Sequence, residues 1–161
     1  MDDYRAIEVL YAEKHGTEAK STRKSIGDFY LNDNPSRPVN VKSNNINKKN
    51  YSPNIISGKK LIDWVINKGN ELYFIFVDYE LVDGKIEIIK DSGLIPYYQI
   101  SWDCLSIEAQ GWGVIQMNKR LLVNESQTAD QFFKGMKMGY EKYIGKEEKK
   151  MAKIREMIKD F

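Results

Sequence analysis

Cysteine and histidine are almost missing from this chain: Cys104 and His15 are the only ones in 161 residues. A single thiol excludes an internal disulfide and a zinc site built from several thiolates. A nucleophilic pair of Cys104 and His15 is not expected, because Cys104 falls in an apolar, strand-like run where cysteine serves as a small buried hydrophobe. Long apolar runs are absent too. None approaches the roughly 20 residues of a membrane span, and Met1-Asp2-Asp3 does not read as the start of a signal peptide. The expectation is a soluble, cytoplasmic protein with no membrane partner. There is no large excess of one charge sign, no internal repeat and no low-complexity linker.

A chain of this length, 42% hydrophobic and 30% charged, suits one domain with one substantial core. We expect a single domain over 1–161, with 128–161 as a helical C-terminal extension. The net charge of +2 hides an uneven distribution. Residues 14–60 hold ten Lys or Arg against Glu18, Asp28 and Asp33, a net of +7, which leaves −5 for the remainder. Positive charge gathered in one third of the chain suits a phosphate backbone as partner.

Residues 2–15 carry Tyr4, Ile7, Leu10 and Tyr11 at helical spacing, stopped by Gly16. A short strand or loop over 17–25 leads into two β-like runs, Ile26–Leu31 and Pro38–Ser43, around a turn rich in Asn, Asp, Pro and Ser. A helix is expected over 58–69, from Leu61, Ile62, Val65 and Ile66, with Gly69 as its stop. Glu71–Leu81 follows as a strand apolar enough to be buried on both faces. Asp83-Gly84 then turns the chain into a return strand, 86–90. From Thr128 onward the chain reads as helical, capped by Ser126 or Thr128 and interrupted at Gly145.

The two β-like runs carry the chemistry. Asp28 opens the first, and Asn40 and Lys42 lie two apart on the second, hence on one face. If Asp28 sits opposite them, a carboxylate, an amide and an ammonium converge. Carboxylate and amide oxygens are hard ligands that suit Mg²⁺, and a neighbouring lysine can orient or help deprotonate a metal-bound water.

Gly27-Asp28 followed by Asn40-Val41-Lys42 resembles the core motif of the PD-(D/E)xK nuclease superfamily, which includes most type II restriction endonucleases. Asn40 departs from the usual acid, although some restriction enzymes of that superfamily carry an amide there. The expected element order, helix, short strand, Asp strand, Lys strand, helix and central strand, is similar to the αβββαβ core of the same superfamily. The resemblance implies an α/β (α+β) fold with a mixed sheet flanked by helices. It also implies a Mg²⁺-dependent, site-specific endonuclease that cuts double-stranded DNA to leave 5′-phosphate ends. Asp28, Asn40 and the Val41 carbonyl would hold the metal. Lys42 would serve the attacking water, and Glu8, preferred over Glu13 on the first helix, would reach the same site. Cutting a palindrome on both strands implies a homodimer.

Base and phosphate contacts are expected from the Asn- and Lys-rich stretch after Lys42: Ser43, Asn44, Asn45, Lys48, Lys49, Tyr51 and Asn54. Gln110 and Gln116 flank Gly111-Trp112-Gly113-Val114-Ile115, a stretch that resembles the Gly-x-Gly-x-x-Gln found late in several type II restriction enzymes. Three rival readings remain. One is a structure-specific repair or resolvase-type nuclease. Another is a DNA-binding module, or an inactivated variant, in which Asn40 marks a dead site. The third is a small interaction protein without nucleic-acid affinity.

Overall fold

The computed structural model describes residues 2–20 and 26–161. The chain divides into two compact units, Met1–Pro53 with Leu61–Tyr97, and Asn54–Lys60 with Tyr98–Phe161. Among the described residues no helix is long and apolar enough to cross a membrane.

The first unit is built on helix α1, Asp3–Lys14, and strands β1, Phe29–Tyr30, and β2, Pro38–Asn45. The 26–31 run keeps only those two β1 residues, since 26–28 form a bend and Leu31–Asp33 closes at once into a 3₁₀ turn. Strand β3, Asn54–Ser57, belongs to the second unit and interrupts the chain before it returns. Helix α2, Gly58–Leu61, runs into a π-helical segment, Ile62–Asn67. Strands β4, Tyr73–Val82, β5, Lys85–Asp91, and β6, Ile95–Pro96, complete the unit.

The sheet runs β1-β2-β4-β5, with β6 also on β4. β2 and β4 are parallel from Val39↔Tyr73 to Asn45↔Tyr79, and the other pairings are antiparallel. β4 is the central strand, and its apolar run is buried on both faces as expected. Ile75, Val77 and Tyr79 join Val39 and Val41 of β2 against Ile7, Tyr11 and Ala12 of α1. On the opposite face Phe74 and Phe76 stack with ring centroids 6.0 Å apart. The β4–β5 turn is the expected one: Asp83 and Gly84 both take positive φ, 51° and 75°, as a two-residue hairpin turn requires.

Three further expectations need correction. Tyr4 of α1 is exposed, and the buried stripe is Ile7, Glu8, Tyr11 and Ala12. Glu8 therefore lies within that stripe rather than at its edge. The 58–69 helix changes winding at Ile62, and the longer π repeat rotates Ile62 and Ile66 outward. Of the strand or loop expected over 17–25, residues 17–20 take the loop form, and the rest of that stretch lies outside the described residues. Gly145 does not interrupt anything, since α3 is one helix from Ala129 to Ile158.

The second unit pairs β3, β8 (Val114–Met117) and β7 (Leu105–Glu108) in the antiparallel order β3-β8-β7. Thr128 and Gln131 form a reciprocal capping box at the start of α3, satisfying two otherwise orphaned backbone donors. Phe132 and Met136 bury α3 in this unit, and Trp102 Nε1 donates to the Phe132 carbonyl at 2.9 Å. Gly135 makes room for that indole, because a Cβ there would stand 2.3 Å from Trp102 Cδ1. The helix expected from 128 is thus partly structural wall of the second unit.

Gly27 sets the entry to β1. Its φ is +98°, and an added Cβ would meet Pro38 Cβ at 2.7 Å and the Val39 backbone at 3.1 Å. Gly27→Ala therefore carries both a backbone and a packing penalty, and should lower stability by about 2–3 kcal/mol. A urea-denaturation midpoint equal to the wild type would contradict this account.

Candidate active site

Asp28 is fixed to β2 through main chain and side chain together. Its N–H donates to the Val39 carbonyl at 2.7 Å, one step beyond the Phe29↔Val39 pair. Its carboxylate oxygen Oδ2 accepts from the Val41 N–H, also at 2.7 Å. Because β1 is so short, the carboxylate takes the place of a strand partner for that N–H. The Asp28 carbonyl in turn accepts from Lys20 N at 2.6 Å.

Glu8 comes from the buried face of α1 and is 5% exposed, against 7% for Asp28. Arg5 holds it from one turn earlier: Nη1 donates to Glu8 Oε2 at 3.0 Å and to the Lys20 carbonyl at 3.0 Å. Arg5 thus ties the helix to the segment bonded to Asp28. Sequence reading missed this residue, although its position three before Glu8 is a helix ion-pair spacing. Glu13 is exposed.

Burial is the main influence on Asp28 and pushes its carboxyl up to about 6. The Val41 N–H and the Lys42 ammonium pull the other way, while the neighbouring Glu8 carboxylate raises it further, by its charge and by a shared hydrogen bond. Lys42 is pushed below the usual lysine range by burial, against the pull of Asp28 and Glu8. Each of these three groups feels the other two or is felt by them, so the structure brings them into one electrostatic cluster. Asn40 is half-buried in β2, two residues before Lys42, opposite Phe74 in the parallel ladder.

Among the described residues no three His, Cys, Asp or Glu side chains gather as a metal cluster. The donors that the structure brings together are the two carboxylates, hard oxygens of the kind suited to Mg²⁺, with Asn40 two residues before Lys42 on the same strand. Two carboxylates crowded in a dry site, one of them resisting ionisation, form an environment that a divalent cation relieves. The donor set fits that metal.

The residues expected to read DNA fall into two groups. Ser43, Asn44 and Asn45 all lie in β2, which runs two residues past its expected end. Together with Lys48, Lys49, Asn50, Tyr51, Tyr4 and Tyr79 they line an open pocket of about 230 Å³. Asn44 Nδ2 donates to Asp78 Oδ1 at 3.1 Å, so part of its amide is already engaged. The Tyr51 hydroxyl is buried without a hydrogen-bond partner among the described residues, and burial raises its pKa further.

The other group lies in the second unit. Asn54 Nδ2 donates to Gln110 Oε1 at 2.9 Å, and Gln116 Nε2 donates to Asn54 Oδ1 at 3.0 Å. Three side chains singled out separately in the sequence form one exposed amide chain. Trp112, at the β7–β8 turn, is 79% exposed, with Lys59 Nζ 5.2 Å from its ring centre. Neither residue was singled out from the sequence.

No family model and no curated protein sequence matches this chain. Among solved structures it is similar to the NlaIV restriction endonuclease, at 18% identity and a TM-score of 0.54, over 84% of this chain and 61% of that one. The chain thus spans about three-fifths of the length of the enzyme it matches. At that identity the likeness is one of fold, and the fold is restriction-endonuclease-like: mixed α/β, as the order of motifs implied.

The electrostatics give a pH signature in metal-free buffer. Asp28 titrates near 6 in the folded chain against an ordinary 3.8, so ionising it opposes folding. That cost is absent below about 3.8, grows as pH rises through the window, and is complete above about 6. Asp28→Asn keeps an oxygen for the Val41 N–H and removes the charge. It should be more stable than the wild type at pH 8, by about 2–3 kcal/mol, with the advantage gone below pH 4. Equal urea midpoints for the two proteins at pH 8 would contradict the assignment.

Proposed function

We propose that this chain is a Mg²⁺-dependent, site-specific endonuclease that hydrolyses double-stranded DNA. The observation that carries this reading is the buried pair of carboxylates, Asp28 and Glu8, electrostatically coupled to Lys42 within a restriction-endonuclease-like fold. Asp28, Glu8, the Asn40 amide and the Val41 carbonyl would hold the ion, which when bound supplies positive charge to the phosphate and acidifies a water. Arg5 keeps the Glu8 carboxylate aimed inward. The Val41 N–H holds one Asp28 oxygen, and the hydrogen bond that Asp28 shares with Glu8 would give way to the metal.

Lys42 has the chemistry of a water-positioning group. Its burial lowers the cost of giving up a proton, and while protonated its Nζ stabilises charge building on phosphorus. In-line attack by water then leaves 5′-phosphate ends. Lys48 and Lys49 are exposed and contact phosphates, while the Ser43–Tyr51 pocket and the Asn54–Gln110–Gln116 amides meet bases. A palindromic target requires two such sites, hence a homodimer.

Position 40 supports a second reading. An amide stands where the resembled motif has an acid, and no third carboxylate joins the described cluster. A module that binds DNA without cutting it fits that composition.

Incubation with plasmid DNA and millimolar Mg²⁺ separates the two. Discrete fragments, abolished by Lys42→Ala with DNA binding retained and by Asp28→Ala with Mg²⁺ binding weakened, are the expected result. Binding without cleavage would favour the module, and cleavage gained only by Asn40→Asp would identify Asn40 as an inactivating residue. If neither form cuts any DNA while both fold and bind it, the endonuclease reading is wrong.

Phosphate contacts also require a salt dependence. Affinity for duplex DNA should fall steeply as salt rises, and the Lys48→Ala/Lys49→Ala double variant should flatten the log–log slope by about 2. An affinity indifferent to salt would remove the nucleic-acid reading altogether.

A further inference from the structure

Among the described residues, the last half of α3 is a helix left exposed. From Lys146 to Phe161 every residue is exposed except Glu147, which is half-buried. An isolated helix of this length is marginal in water and ordinarily depends on a packed apolar face. Such a face is present and uncovered: Met151 and Ile158 are 49% and 52% exposed, and Ile144 and Ile154 lie beside them.

The spacing defines what can cover it. Ile144, Glu147, Met151, Ile154, Ile158 and Phe161 follow one another at intervals of three, four, three, four and three. That is the alternating repeat of a two-stranded coiled-coil seam, averaging about 3.5 residues. Charge argues against a phosphate backbone as the occupant. Residues 146–161 hold six Lys or Arg interspersed with four Asp or Glu, a mixed surface suited to another mixed-charge helix.

We propose that this segment pairs antiparallel with the same segment of a second copy of the chain. The antiparallel register sets Met151 against Ile154 of the second copy and Glu147 against Ile158, with Phe161 reaching Ile144 just past the last turn. Residue numbers in each layer then add to a constant, so the arrangement is two-fold symmetric about a point between Ala152 and Lys153. Flanking the seam, Glu148 faces Arg155 of the second copy, and symmetry repeats this attraction.

The parallel alternative fails on charge. It would place Glu147 against Glu147 inside the seam, and Lys150 beside Arg155 of the second copy. Pairing through α3 deepens the homodimer of the proposed function and rests on that part of the reading, but its evidence is the helix itself.

Sedimentation equilibrium on the full chain tests it without DNA or metal. The expected mass is twice 18.8 kDa, falling to the single-chain value in Ile154→Asp, with circular dichroism reporting that both units remain folded. Glu148→Arg and Arg155→Glu should each weaken association about tenfold, and the double charge swap should restore it. A monomer at every concentration, a dimer that survives Ile154→Asp, or a double swap that fails to restore pairing would each overturn the proposal. The plasmid assay is read separately: a dimer with no cleavage defeats the nuclease reading alone, and cleavage by a strict monomer defeats the pairing alone.

Discussion

The hydrogen bond from the Val41 N–H to the Asp28 carboxylate is the interaction on which the first unit's arrangement turns. A carboxylate that is 7% exposed is costly unless donors surround it. Here the donor is a strand N–H left open because β1 begins only at Phe29, two residues after the position opposite Val41. Gly27 makes this possible by turning the chain at φ +98°, so close to β2 that a side chain would collide with Pro38. The short strand, the positive φ and the buried acid are therefore one feature. Lengthening β1 would satisfy Val41 with a backbone carbonyl and leave the carboxylate without its partner.

Around that bond the helix and the sheet divide their tasks. Ile7, Tyr11 and Ala12 of α1 bury against Val39, Val41, Ile75 and Val77, which supplies the hydrophobic stabilisation and fixes the helix. A charged residue in the same stripe is then carried into the core whether or not it is favourable there. Glu8 is that residue, and Arg5 offsets part of its cost with a hydrogen bond at 3.0 Å. The net result is a carboxylate pair that apolar packing holds together against its own repulsion. Stability and chemistry oppose each other at this point, as they commonly do where titratable groups are held in unfavourable surroundings.

Much of this was legible in the sequence because the relevant signals are local. Asp83-Gly84 encodes its turn, the apolar run of β4 encodes a central strand, and Gly16 ends α1 at its expected place. The two-residue offset between Asn40 and Lys42 is a property of any strand. What was not legible depends on partners distant in the chain. The exposure of Ile62 and Ile66 follows from a π-helical winding that their spacing does not reveal. Only Asn54 of β3 was singled out in the sequence, and the strand's partner, β8, lies some sixty residues later. Gly145 signals a break only if the flanking helix lacks other support, and α3 continues through it. Arg5 matters through a carbonyl fifteen residues away, which no periodicity could indicate.

The amide at position 40 can be understood from the same electrostatics. Two carboxylates and one lysine already leave Asp28 titrating near 6, because desolvation outweighs the help it receives from Val41 and Lys42. An acid at position 40, two residues from Lys42 and on its face of β2, would add a third negative charge in a partly dry site. Without a bound cation that charge would raise Asp28 further and draw on the same lysine for compensation. Asn40 keeps an oxygen donor at the position without adding to the repulsion. For the proposed Mg²⁺ role the cost is a weaker pull on the ion, since a neutral amide contributes less than a carboxylate. The amide at position 40 spares the cation-free fold that third charge.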